Sequence, residues 1–296
     1  MEGKDIIYEF LDYISYERRY SEFTEKSYEK DLFDFFTYLK RNNLNYKKIK
    51  YNDVNKYIEE LVKLGYKSSS INRMCSSLRS FYKYLEGKNY IEHNPVKFIN
   101  SLKEAKRLPN YFKYDEFLTM ISVLENDELG IRNRLIIEML FATGLRVSEL
   151  SNIKLSDIDI SKKEIRIIGK GKKERIVFFN DETSNALNNY LSETRDYLLN
   201  GKTNEYLFLN KLGDKLTDRG IRLIINNIVE KSCIKSKVSP HTFRHTFATM
   251  LLNEGCNIKS VQELLGHSSL GTTGIYTHLT SDEIRLEYRK AHPRAK

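Results

Sequence analysis

The sequence predicts a mainly α-helical protein with one small antiparallel sheet, divided into two domains. Apolar residues recur three and four apart through the first hundred positions. An isoleucine- and glycine-rich stretch interrupts that rhythm near the middle of the chain, and the helical spacing then resumes. With 296 residues, 40% of them apolar, the chain is long enough to bury two hydrophobic cores.

Ile7, Phe10, Leu11 and Ile14 mark the first helix. Tyr28, Leu32, Phe35, Phe36 and Leu39 mark the second, with Thr24 as its expected N-cap. Asp53 is expected to cap a third, which carries Val54, Tyr57, Ile58, Leu61 and Val62 and stops at Gly65. Ser69 or Ser70 is expected to cap a fourth, placing Ile71, Met74, Leu78, Tyr82 and Leu85 on one face and leaving Arg73, Ser76 and Arg79 more exposed. Residues 1–100 thus read as a four-helix domain. The segment Ser101 to Asn110 loses apolar periodicity and gains charge, so residues 101–112 read as a linker.

The second domain, residues 113–280, opens with helices near 114–125 and 130–143. Ile158, Ile160, Ile165, Ile167 and Ile168, then Ile176, Val177 and Phe178, mark short strands around Gly169-Lys170-Gly171-Lys172-Lys173, whose glycines suit a tight hairpin turn. Helices follow near 181–199, 217–231, 240–254, 258–265 and 269–279. Residues 281–296 form a terminal helix and tail with Ile284, Leu286 and Tyr288 as an apolar face.

Charge narrows the partner class. The formal net charge is +9, and it is unevenly spread: residues 1–34 hold five basic and ten acidic side chains, residues 35–110 sixteen basic and six acidic. A second basic cluster runs from Lys162 through Lys163, Arg166, Lys170, Lys172 and Lys173 to Arg175. Such clusters suit a polyanion whose phosphates release counterions on binding. Arg73, Ser76, Arg79, Lys172, Lys173 and Arg175 are the candidates for contact with such a polyanion. Cys75, Cys233 and Cys256 are scattered and lack metal-ligand spacing, which reads as reduced thiols in a cytoplasmic protein. No apolar run approaches the ~20 residues of a membrane span. No Walker motif, acidic metal cluster or zinc pattern is present, so neither cofactor nor metal is expected.

Residue types able to grip and attack a phosphodiester occur in one ordered series: Arg146, Lys170, His241 with Arg244, His267, and Tyr276. A phosphodiester under attack gains negative charge on its nonbridging oxygens, and a guanidinium can bind two of them at once. Gly144 is expected to end the helix before Arg146, and Glu149, three residues on, to orient that arginine. Ser239 and Pro240 begin a helix that places His241, Arg244 and His245 on one polar face near an N-terminus that favours anions, with Phe243, Phe247, Met250 and Leu251 opposite. Lys170, at the hairpin, can reach a leaving oxygen as general acid. Tyr276 is the nucleophile, a phenol that needs neighbouring cations or a base, from His241 or His267, to attack at neutral pH. Tyr190, Tyr197 and Tyr206 sit in amphipathic or strand settings that suit packing.

These motifs, Phe-Ala-Thr-Gly-Leu-Arg-Val-Ser-Glu-Leu (141–150), Ser-Pro-His-Thr-Phe-Arg-His (239–245) and Leu-Gly-His-Ser-Ser-Leu-Gly-Thr-Thr-Gly-Ile-Tyr (265–276), resemble those of the tyrosine site-specific recombinases of the phage-integrase family, most closely the Xer branch. The likeness spans nearly the whole chain to His292-Pro293-Arg294-Ala295. It implies an N-terminal core-binding domain and an α+β catalytic domain that clamp double-stranded DNA. It further implies paired half-sites, a 3′-phosphotyrosyl intermediate, a Holliday junction, and a homotetramer or heterotetramer with a paralogue that exchanges its terminal helices. Chromosome-dimer resolution with a DNA-translocase regulator is the expected role, near the nucleoid. A mobile-element integrase, a type IB topoisomerase and a non-catalytic DNA-binding protein are the rivals. Gly271 and Gly274 depart from the pattern and weaken helix formation, so Tyr276 is expected to be poorly ordered or to stand away from the arginines without DNA.

Overall fold

The computed structural model describes residues 2–18, 20, 22–103, 111–169, 174–266 and 280–295. They fall into two compact units, Met1–Arg107 and Leu108–Lys296.

The first unit contains α1 (Glu2–Asp12), α2 (Glu22–Arg41), α3 (Tyr51–Lys63) and α4 (Ser68–Gly87). A π turn over Tyr13–Glu17 extends α1. The periodic residues meet in one core, where Ile7, Phe10, Leu32, Phe35, Val54, Leu78, Phe81, Tyr82 and Leu85 are all but inaccessible. Aromatic rings dominate this core, with Phe35 edge-on to Tyr57 and Phe10 edge-on to Phe81.

The expected helix starts shift. Thr24 lies inside α2, which begins at Glu22, and α4 begins at Ser68, ahead of Ser69 and Ser70. Asp53 is the third residue of α3, where its carboxylate accepts from the Lys50 amide at 2.9 Å. A carboxylate can satisfy an orphan amide from inside the first turn as well as from the cap, so the residue type marks the turn without fixing the boundary. Gly65 follows the end of α3 with φ +77°, as expected of a helix stop.

The second unit begins with α5 (Tyr114–Ser122) and α6 (Glu128–Thr143). From Leu135 to Ala142 almost every α6 side chain is buried on all sides, which makes it the central helix of this unit. A one-turn helix, α7 (Val147–Leu150), leads to a three-stranded antiparallel sheet in the order β1 (Ile158–Asp159), β2 (Glu164–Ile168), β3 (Glu174–Phe178). Ile160 falls outside β1 and is exposed. In the β2–β3 register Ile165 faces Val177 and Ile167 faces Arg175. Cross-strand partners share a face, so Arg175 lies on the same side as the buried Ile165, Ile167 and Val177.

The helical wall continues through α8 (Asp181–Asn189), a π turn over Tyr190–Thr194, α9 (Arg195–Leu199), α10 (Asp218–Ser232), α11 (Pro240–Asn253) and α12 (Ile258–Leu265). The final helix, α13 (Ser281–Ala291), packs on its own chain, burying Tyr288 and Ala291 against Phe178, Phe247, Leu251 and Leu264. Of its expected apolar face, Tyr288 is buried and Ile284 partly so, while Leu286 stays exposed. Arg294 then pairs with buried Glu138 of α6 at 2.6 Å.

Candidate active site

Three guanidinium groups surround one carboxylate. α6 ends at Gly144, whose backbone is left-handed (φ +61°) and whose Cα packs against Phe247; a Cβ there would lie 2.5 Å from the ring. The chain therefore turns sharply, and Arg146 caps α7. Glu149 reaches back from α7 to accept from the Arg146 amide at 2.8 Å and from Arg146 Nη1 at 2.9 Å. Glu149 keeps only 6% of its side chain exposed, against 41% for Arg146. The carboxylate is a buried support, and the arginine it holds is open to solvent.

Arg175 grips the same carboxylate from β3. Its Nη1 and Nη2 each donate to Glu149, both at 2.9 Å, and its Nε donates to the Leu264 carbonyl at 2.9 Å. Burial alone would favour the protonated acid. The hydrogen bonds and charge of Arg175, helped by Arg146, outweigh it and hold Glu149 below the usual carboxylate range.

Arg244 enters from α11. Ser239 is the N-cap, its Oγ accepting from the Thr242 amide, and Pro240 opens the helix. Phe243, Phe247 and Leu251 point into the core, His241 is exposed, and Arg244 and His245 are half-buried. Arg244 donates Nη1 to the Gly144 carbonyl at 3.0 Å and Nη2 to the Leu265 carbonyl. Arg146 Nη1 makes a longer contact, 3.5 Å, to that same Leu265 oxygen. Burial, and then the charge of Arg146, push the Arg244 guanidinium down to about 10, which leaves it cationic at neutral pH.

The shared acceptor has a simple origin. Leu264 and Leu265 close α12, whose last carbonyls lack intrahelical partners and carry the negative end of the helix dipole. Gly266 (φ +63°) ends the helix against Arg175. Three arginines and one glutamate leave two positive charges here, a match for a phosphoryl group gaining charge under attack.

Arg146, Glu149 and Arg244 are thus brought together, and His241 lies one helical turn before Arg244 on the same face of α11. Lys170, Lys172, Lys173, His267, Tyr276 and the helix expected over 269–279 lie outside the described residues, as does the expected displacement of Tyr276. Arg73 pairs with buried Asp31, Arg79 donates to the Ile99 carbonyl at 2.8 Å, and Ser76 bonds within its own helix. Arg175, placed by its sequence neighbours in a solvated basic cluster, is 11% exposed and turned inward. Strand parity was the available signal: two residues before Val177, it had to share that residue's face. Tyr190 is buried, donating to the Leu207 carbonyl at 3.0 Å, whereas Tyr197 is solvent-exposed rather than packed. Among the described residues no group of His, Cys, Asp or Glu is arranged to hold a metal ion, and no helix is long and apolar enough to cross a membrane.

Comparison with known proteins gives a consistent picture. Residues 110–283 match the model of the phage integrase family, and residues 7–89 that of the phage integrase N-terminal SAM-like domain. The chain is 44% identical to tyrosine recombinase XerC of Anoxybacillus flavithermus over 97% of both proteins. Among solved structures it is similar to XerA recombinase, at 32% identity over 98% of this chain and 99% of that one, with a TM-score of 0.50. It is also similar to XerH recombinase bound to a palindromic difH substrate, at 23% identity over 85% of this chain and 75% of that one, with a TM-score of 0.73.

Proposed function

We propose a mechanism from one premise: the chain belongs to the phage integrase family and is a tyrosine recombinase, an enzyme of site-specific DNA recombination. Its two domains clamp double-stranded DNA at paired half-sites. Arg146 and Arg244 bind the nonbridging oxygens of the scissile phosphate, taking it in place of the Leu265 carbonyl on which both now converge. That convergence is the observation that carries the reading, because two arginines 98 residues apart in sequence are held by one acceptor only if they face one small volume. His241 and His267 hydrogen-bond the phosphate and draw the proton from Tyr276. Its oxygen attacks phosphorus, the 3′ phosphate becomes bonded to tyrosine, and the 5′ oxygen leaves with a proton from Lys170. The phosphotyrosyl bond conserves the energy of the broken phosphodiester, so a 5′ hydroxyl from a partner duplex reverses the step, and two such exchanges form and resolve a Holliday junction.

The biological reading is resolution of chromosome dimers in the cytoplasm by a tetramer, alone or with a paralogue. The 44% identity to a XerC protein over nearly all of both chains favours this over a mobile-element integrase.

The test is a suicide duplex nicked beside the cleavage site, its sequence recovered from DNA bound covalently to the wild type. Wild-type protein should form a denaturant-resistant adduct, and Tyr276→Phe should form none while keeping gel-shift affinity. An adduct surviving in Tyr276→Phe would overturn the assignment of the nucleophile. Relaxation of plasmid lacking any defined site would favour a topoisomerase.

A further inference from the structure

Resting on that reading, we infer that Arg175 is a positioning residue for strand cleavage: from the inward face of β3 it locks Glu149, and through it Arg146, to the carbonyl end of α12. The donors account for this. Arg175 spends Nη1 and Nη2 on the two oxygens of Glu149 and Nε on Leu264, so both edges of its guanidinium plane that could fork a phosphate are already occupied. Only 11% of the side chain is exposed. The surroundings are shaped to it: a Cβ on Gly266 would sit 3.1 Å from Arg175 Cδ and Nη1 and 3.2 Å from Cζ.

Each of the three residues it touches bears on the chemistry. Glu149 fixes Arg146 by two bonds. Leu264 adjoins Leu265, the oxygen on which Arg146 and Arg244 converge. Gly266 begins the stretch leading to His267 and Tyr276. Arg175 therefore sets the distance between the arginines and the start of the nucleophile segment. A lysine there offers one point charge and cannot bridge Glu149 and Leu264 in the same plane.

The experiment uses the full chain carrying Arg175→Lys, Arg175→Gln or Arg175→Gln with Glu149→Gln, the suicide duplex described above, and two readouts: binding as a function of salt, and the single-turnover rate of adduct formation as a function of pH. All variants should keep the wild-type salt slope and bind within about twofold. Arg175→Lys and Arg175→Gln should form adduct about 100-fold more slowly, the scale of a misplacement near 1 Å. Glu149 faces Arg146 on its own helix, Arg175 from β3 and Arg244 from α11. Without Arg175, the still-buried carboxylate takes up a proton more readily, so the Arg175→Gln rate should show a climb with pH beyond any that it shares with the wild type through His241 and His267, and Glu149→Gln should erase that added climb. A salt slope reduced by about 0.9 would instead make Arg175 a phosphate contact, and unchanged cleavage by Arg175→Lys would also overturn the assignment. Slowed cleavage in step with loss of folded protein, with no added pH limb, would reduce Arg175 to a packing role. Failure of the wild type to form any adduct would count against the recombinase mechanism, an outcome separate from these.

Discussion

Replacing Glu149 by glutamine keeps shape and volume and removes one charge from the centre of the cluster. In the wild type four N–H donors point at the carboxylate: the Arg146 amide, Arg146 Nη1, and Arg175 Nη1 and Nη2. A glutamine amide has one acceptor oxygen, and its NH2 group must face one of the guanidinium groups. At least two donors then lose their acceptor, and Arg175, 11% exposed, is left without its counter-charge. Breaking a buried pair in this way costs about 3–5 kcal/mol. With two units in the chain, a single unfolding midpoint is a poor measure. Hydrogen exchange on peptides spanning α7 and β3 is the suitable assay, and at pH 7 it should show protection lowered by about 3 kcal/mol.

The pH dependence has a definite sign. Burial pushes Glu149 up, but Arg175 and then Arg146 bring it below the ordinary carboxylate value. A depressed carboxylate contributes its stability fully above the unfolded value of ~4.3 and loses it as pH falls through the lower folded value. The gap between wild type and Glu149→Gln should hold from neutrality down to about pH 5 and narrow in stronger acid. Equal protection of the two proteins at pH 7, or a gap that widens on acidification, would refute this account.

Three further outcomes follow from the geometry. Gly144→Ala forces a Cβ into left-handed backbone and to within 2.5 Å of Phe247, and should lower hydrogen-exchange protection in α6 and α11 by about 2–4 kcal/mol through strain and overpacking. His292 is stacked on Tyr288 at 5.1 Å and buried beside Phe141 and Phe247; burial pushes its imidazole down to about 4, against the opposing Phe141 carbonyl. Its neutral form contributes stability that is whole above the unfolded pKa near 6.5 and is lost as pH falls towards 4, so tail protection in hydrogen exchange should drop by about 3 kcal/mol across that window and stay flat in His292→Phe. Arg73→Met takes the guanidinium from the buried Asp31 carboxylate and should lower hydrogen-exchange protection in α2 and α4 by about 2 kcal/mol, the loss growing with Ser77→Ala present, since Ser77 Oγ also donates to Asp31.

Much of this molecule is legible one residue at a time. Apolar spacing located the four helices of the first unit and α5, α6 and α8 to α12 of the second, because a helix buries one stripe whatever it packs against. Ser239 and Gly144 are readable for the same reason: an N-cap and a left-handed stop satisfy groups within a few residues of themselves. The motifs of Arg146, Glu149 and Arg244 could be picked out, since phosphate chemistry restricts residue type.

Tertiary structure alone decided what those residues touch. The oxygen uniting Arg146 with Arg244 belongs to the main chain of Leu265, and the one engaged by Arg175 to Leu264. A backbone carbonyl is the same at every position, so no side chain announces it in the sequence. Arg175 looked like another cation in a basic hairpin until its register opposite Ile167 turned it inward. Tyr288 read only as part of an apolar face on a terminal helix, and its packing, with His292, against Phe247 of the same chain had no mark in the sequence. Local sequence sets which groups a segment can offer; long-range packing brings donors to acceptors that carry no sequence signature.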